Sequence, residues 1–376
     1  MNPHEMWNIF QKKGLDFFTG VPDSTFKSWM SFLDDMNGKV LQNVIAANEC
    51  EALAIASGYH LATKKCGIVY MQNSGLGKTV NPITSLADPE VYSIPLLMLI
   101  GWRGEPGKKD EPQHKKMGRI TIPLLDTLEI RHTIFPDNPK DLELELSKAL
   151  TYIKEKNSPF AFIIKKNTLD PYKSQKTKEP KSNFSREEAI QAIISQLEGQ
   201  EVIISTTGKT SRELFETRIS RREDPRDFYT VGSMGCASAI GLGIALNSKK
   251  KTVILDGDGA MIMQMGSLAT IGHYKPSNYY HFLFDNNVHD STGGQPTVSD
   301  TIKLEKLAEA CGYASVITIS DKEKLSETVK KVFLKPGPAM IIVKVKPGAR
   351  ADLGRPTTTP IENKQYFMNY LEELNK

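Results

Sequence analysis

The residues best placed to do chemistry form two polar groups, each following an apolar run. Gly257-Asp258-Gly259 comes after Thr252-Val253-Ile254-Leu255, and 26 residues later Asn286-Asn287 comes after His281-Phe282-Leu283-Phe284. Both runs read as strands, so Asp258 and Asn286 fall at strand carboxyl ends, where open α/β sheets bind ligands. A carboxylate, an amide oxygen and a main-chain carbonyl, with Val288 the natural candidate, suit a hard Mg²⁺ ion. That ion keeps a near-octahedral oxygen shell and completes it with water and substrate phosphate. The plainer reading is a glycine-rich strand-to-helix turn and an unrelated Asn-Asn turn.

Other residues carry possible chemistry. Glu49 follows Asn48 at the start of a helical pattern, nine residues before Gly58-Tyr59. It is either a catalytic acid in an apolar pocket or a first-turn glutamate favoured by the helix dipole, with Asn48 as cap. Asp23 and Ser24 follow the first strand and can handle protons, although Asp23 can equally cap the next helix. Gly232-Ser233-Met234-Gly235 follows a strand and opens a helix rich in small residues. Backbone amides near Gly235 and Gly259 can receive phosphate oxygens, while Met234 alone is equally a core side chain. Arg103, His114 and His289 lie in loops and Arg355 in a C-terminal arm; together they suit an anionic substrate. Each arginine is equally a surface residue. Thr207-Gly208-Lys209-Thr210 is no P-loop, because Ile203 stands where the first glycine must be.

These groups need a scaffold of parallel strands. Short β-rich runs alternate with helical patterns, predicting doubly wound α/β sheets. The first series is Leu15–Thr19, Val40–Ile45, Gly67–Met71, Leu96–Ile100 and Phe160–Ile164, with a helix over Glu49–Leu61. The second is Val202–Ser205, Phe228–Val231, Thr252–Leu255, Tyr280–Phe284, Ser315–Thr318 and Ala339–Val343. Its helices begin near Ser211, Gly235, Gly259, Asp300 and Asp321. Between the series, Lys165 to Asn183 is rich in Lys, Pro, Ser and Thr and reads as a linker. Ser185 with Glu188 reads as a capping box. Domains are expected at 1–166 and 185–376, joined by 167–184, with an arm and a short helix at the end.

The bulk composition excludes several classes. A length of 376 residues suggests two domains at roughly 150 each. Net charge is +4 and the basic residues are scattered, so nucleic-acid binding is not indicated. Cys50, Cys66, Cys236 and Cys311 fit neither a zinc motif nor a disulfide framework. Ile94 to Ile100 falls far below the roughly 18 apolar residues of a membrane span, and the first residues lack a signal pattern. A soluble cytoplasmic protein is expected.

The metal pattern, with Glu49 at its spacing before Gly58-Tyr59, resembles the signature of thiamine-diphosphate (ThDP) enzymes. Further segments narrow the resemblance: Thr19 to Ser24, Gln72 to Gly77, Gly101 to Gly107, Asp110 to His114, His289 to Gln295 and Asp352 to Pro356. Together they resemble the phosphonopyruvate decarboxylases, with sulfopyruvate decarboxylases nearest. The resemblance implies two ThDP-fold domains, pyrimidine-binding and diphosphate-binding, without the central third domain of acetolactate synthases. It implies ThDP and Mg²⁺ as cofactors, held by Glu49, Ser74, Gly232, Ser233, Met234, Gly257, Asp258, Gly259, Ala260 and Asn286, with the metal on Asp258, Asn286 and Val288. Glu49 would activate the cofactor, and Met234 would bend it. Asp23, Ser24, His114 and His289 would serve catalysis, and Arg103, His114, His289 and Arg355 would bind substrate. The implied reaction converts 3-phosphonopyruvate to phosphonoacetaldehyde and CO₂ for phosphonate biosynthesis, with the active site shared across a homodimer or larger homo-oligomer. The alternatives are sulfopyruvate decarboxylation, a carboligase and a non-catalytic ThDP-fold regulator. The chain departs from the pattern at Lys78, where a smaller polar residue is expected, and at Asn287, where glycine is common.

Overall fold

The computed structural model describes residues 1–176 and 182–376. The chain divides into two compact units between residues 176 and 182, except that Thr292–Gln295 group with the first. Residues 177–181 of the expected linker lie outside the described residues.

The first unit is a six-stranded sheet of β1 (Phe17–Gly20), β2 (Gln42–Ile45), β3 (Gly67–Gln72), β4 (Leu96–Gly101), β5 (Arg131–Ile134) and β6 (Phe160–Ile164). Its order is β2-β1-β3-β4-β6-β5, all parallel. Successive side chains of a strand point to opposite faces, and here both faces are buried. Ile68 and Tyr70 of β3, Leu97 and Leu99 of β4 and Phe162 of β6 join a core with Met6, Phe10, Trp29 and Leu146. Val69, Met71, Met98 and Ile163, one residue out of step, join a second core with Ala52, Leu53 and Leu125. Apolar runs without alternation are therefore what this sheet requires.

The second unit contains β7 (Val202–Ser205), β8 (Phe228–Tyr229), β9 (Thr252–Gly257), β10 (Tyr279–Asp285), the two-residue strands β11 (Val288–His289) and β12 (Gln295–Pro296), β13 (Ser315–Ile319) and β14 (Ala339–Lys344). Its main sheet runs β13-β14-β10-β9-β7-β8, again parallel. Read from the β8 edge and numbered within each unit, this order equals that of the first sheet. The two halves share one winding. In each, strand order reverses beside the unit's first strand, so crevices open between β1 and β3 and between β7 and β9.

Several expectations need correction. β5 is not among the expected strands because Arg131-His132-Thr133-Ile134 has no apolar run; as an edge strand it is largely exposed. β8 stops at Tyr229, two residues short, because the chain turns into Gly232 and Ser233 at positive φ. The helix expected near Asp300 begins at Leu304, while Val298–Asp300 form a 3-10 turn. The closing helix, Pro360–Asn375, has 16 residues rather than being short, and opens with a capping box of Thr359 and Glu362. The capping box at Ser185 and Glu188 forms as expected. The four cysteines are unpaired. No helix among the described residues is long and apolar enough to cross a membrane.

Candidate active site

In the first unit, the loops after β1, β3 and β4 gather at the crevice. Glu49 opens the helix Glu49–Thr63, and Asn48 caps it by accepting from the Glu51 amide at 3.1 Å. Its carboxylate is 6% exposed, and Oε2 makes no hydrogen bond. Gly75 leaves room for it: a Cβ there would stand 2.4 Å from Glu49 Cδ and Oε1. Lys78 comes back over the same group, its Nζ 3.5 Å from Oε2.

Asp23 is fully buried beside this cluster. Gln72 Nε2 donates to its Oδ1 at 2.7 Å, and Ser74 Oγ donates to Gln72 Oε1 at 2.7 Å. Burial pushes the Asp23 carboxyl above its ordinary range, and the Gln72 donor, Thr25 and Arg103 pull it back. Arg103 makes a bidentate pair with Asp110, at 2.9 Å and 2.5 Å, and its Nη1 donates to Ser24 Oγ at 3.2 Å. The guanidinium hydrogen bond holds the Asp110 carboxyl down to about 2. His114 lies at the start of the helix Pro112–Thr127 with Nδ1 buried and unbonded. Desolvation, then the Arg103 charge, lowers its imidazole to about 4, so at neutral pH it offers one N–H and one lone pair. Gly118 permits this packing, since a Cβ there would meet Gly104 O at 1.7 Å.

In the second unit, β9 and β10 run in register, Gly257 opposite Phe284, which levels Asp258 with Asp285. Asp258 is buried and accepts from Thr297 Oγ1 at 2.6 Å and Ser299 Oγ at 2.9 Å. Ser299 Oγ also lies 2.9 Å from Asp285 Oδ1, so its single hydrogen is shared between the two carboxylates, and Lys344 pairs with the other Asp285 oxygen. Desolvation, with the Asp285 charge adding to it, pushes the Asp258 carboxyl above its ordinary range. Asn286 Nδ2 donates to Asp290 at 2.8 Å, and its Oδ1 accepts the Val288 amide at 3.1 Å. The Val288 carbonyl accepts from Asp290 at 3.1 Å. The His289 ring packs against Gly259, where a Cβ would be 2.9 Å from Cε1. Asn287 has φ 61, which explains the place of glycine there; asparagine tolerates the left-handed region.

The glycine turn after β8 reaches the same place. Gly235 abuts Ala260, whose carbonyl would lie 2.9 Å from a Cβ. The Gly232 amide donates to Thr207 Oγ1 at 3.0 Å, Ser233 is exposed, and Met234 is half-buried rather than packed into the core. Arg355 is exposed on an arm whose Leu353 and Gly354 carbonyls accept from Arg212, and whose Arg350 pairs with Glu187 at 3.0 Å. Sequence reasoning missed Thr297 and Ser299, which sit 39 and 41 residues from Asp258 with no motif, and the bridging role of Gln72 within a segment it had singled out.

Residues 6–122 match the thiamine pyrophosphate enzyme N-terminal TPP binding domain, and residues 207–343 match the C-terminal TPP binding domain. The phosphonopyruvate decarboxylase of Streptomyces viridochromogenes is 34% identical over 381 residues, covering 95% of this chain and 92% of that one. This chain belongs to the phosphonopyruvate decarboxylase family. The relative from Streptomyces hygroscopicus is also 34% identical, over 96% of this chain and 91% of its own. A sulfopyruvate decarboxylase of Methanosarcina acetivorans is 27% identical over 93% of this chain and 92% of its own.

The residues present fit the cofactor of such a thiamine pyrophosphate enzyme. Glu49 offers a buried carboxylate oxygen without a hydrogen bond, within the region that matches the N-terminal TPP binding domain. Asp258 is a buried carboxylate flanked by a second one, an arrangement that a cation relieves. Among the described residues no three His, Cys, Asp or Glu side chains converge on one point, so a metal held at Asp258 would need amide or main-chain oxygens as well.

Proposed function

We propose that this chain decarboxylates 3-phosphonopyruvate to phosphonoacetaldehyde and carbon dioxide, using thiamine diphosphate and Mg²⁺. What carries this reading is that Glu49 and the Asp258–Asn286 pair occur together in a chain similar to phosphonopyruvate decarboxylases over nearly its whole length. When bound, the cofactor supplies the electron sink that makes loss of carbon dioxide possible.

The protein's own groups do the rest. Asp258, Asn286 and the Val288 carbonyl would hold the metal, and Gly257, Gly259 and Ala260 would line the diphosphate. Gly232, Ser233, Met234 and Ser74 would contact the rest of the cofactor. Glu49, seated against Gly75, would supply the acid that activates it. Arg103, kept cationic by Asp110, binds one acid group of the substrate, and His289 and Arg355 complete the anion site. His114 donates one hydrogen bond to substrate, and Asp23 and Ser24 manage the proton taken up after carbon dioxide leaves.

The pyrimidine and diphosphate residues lie on separate units of one chain, and the family reading joins them across two subunits in a homodimer or larger homo-oligomer. The unpaired cysteines suit a reducing cytoplasm. The aldehyde product would feed phosphonate biosynthesis.

The second reading is sulfopyruvate decarboxylation, favoured by the fused relative from Methanosarcina acetivorans. Comparing kcat/KM on phosphonopyruvate and sulfopyruvate separates the two. A ratio of tenfold or more toward the phosphonate (about 1.4 kcal/mol) supports the proposal; a preference for the sulfonate overturns it.

A further inference from the structure

Gln72 closes β3 and lies between a buried carboxylate and an exposed hydroxyl. Its Nε2 donates to Asp23 Oδ1 and its Oε1 accepts from Ser74 Oγ, both at 2.7 Å. The other Asp23 oxygen, Oδ2, makes no hydrogen bond and rests against the bare Cα of Gly101, where a Cβ would be 1.9 Å away. The neighbours at Gly101 are Phe26 and Thr25, and the charged group facing Asp23 is Arg103, itself engaged with Asp110 and Ser24.

This arrangement has two self-consistent hydrogen-bond patterns. An ionised carboxylate only accepts, so the amide nitrogen must face Asp23 and the amide oxygen must face Ser74. A protonated Asp23 can instead donate to the amide oxygen. Reversing the amide then turns its nitrogen toward Ser74, whose hydroxyl becomes an acceptor and directs its hydrogen elsewhere. No atom other than the Asp23 proton needs to enter or leave.

We propose that Gln72 is a positioning residue that couples the protonation state of Asp23 to the direction in which the Ser74 hydroxyl points. A change of charge at a buried acid is thereby passed to an exposed donor at the mouth of the crevice. The inference rests on the reading of Asp23 as the group that manages the reaction's proton. A donor to the charged form holds a carboxyl down, and removing it raises the carboxyl.

The test is Gln72→Leu, with the uncharged Gln72→Met as a second variant should the first fail to fold. The readout is the pH at which the carboxylic-acid carbonyl band of Asp23 disappears in infrared spectra, the band being identified by its loss in Asp23→Asn. Losing a charge-assisted hydrogen bond shifts that pH up by about one to two units. The limb of the kcat profile due to Asp23 moves in the same direction, while ThDP still binds. An unmoved band in the folded variants overturns the proposal. Failure of the wild type to release phosphonoacetaldehyde would sink the functional reading alone, and the infrared shift would still decide the role of Gln72.

Discussion

Lys78 Nζ lies 3.5 Å from Glu49 Oε2, so the departure visible at Gly75-Leu76-Gly77-Lys78 reaches the carboxylate proposed to serve the cofactor. The ammonium is about a third exposed, and pairs of this kind contribute little. A pyrimidine ring arriving at Glu49 must share or displace that contact. Lys78→Asn is therefore expected to bind ThDP at least as tightly as wild type, within about fivefold, by quenching of intrinsic fluorescence. A tenfold or greater loss would show that Lys78 itself holds the cofactor.

Glu49 itself is expected to be indispensable for turnover and dispensable for retention of the cofactor. Glu49→Gln keeps the shape and removes the acid, so kcat should fall by about 100-fold or more with ThDP still bound. Gly75→Ala should approach the same phenotype, because its Cβ would occupy the place of the Glu49 carboxyl. Unchanged turnover in Glu49→Gln would remove that residue from the chemistry.

Asp258 accepts from Thr297 and Ser299, and its neighbouring carboxylate Asp285 is already paired with Lys344. Asp258→Ala should abolish Mg²⁺-dependent ThDP binding in a calorimetric titration, while the melting of the apoprotein stays cooperative. Tight binding by that variant would refute the assigned ligand.

How much of this was legible beforehand depended on the kind of signal. The buried strands were, because a doubly covered parallel sheet demands unbroken apolar runs such as Leu96 to Ile100. The edge strand Arg131–Ile134 was not, since one exposed flank removes that demand. The placement of Asp258 and Asn286 at strand ends and of Glu49 at a helix start was legible because those signals are local. Thr297, Ser299 and the bridge from Gln72 to Asp23 were not: each depends on which loops the winding brings side by side, and no local spacing encodes that. Asn287 was visible as an oddity, and only its positive φ explains it.

His114 gives a pH signature. Desolvation, then the Arg103 charge, pushes its imidazole down to about 4, against about 6.5 when exposed. Between those values the unfolded chain binds the extra proton, so this residue makes stability rise with pH from about 4 to about 6.5. Titration of the ring signals by NMR should place His114 near the lower value. A midpoint near 6.5 would mean that the ring is solvated, not held neutral in the crevice.

The most direct measurement is phosphorus NMR of the products after incubating the protein with phosphonopyruvate, ThDP and Mg²⁺. The expected result is phosphonoacetaldehyde with its carbon–phosphorus bond intact, formed only when both cofactors are present. Unchanged phosphonopyruvate, with ThDP demonstrably bound, would contradict the account.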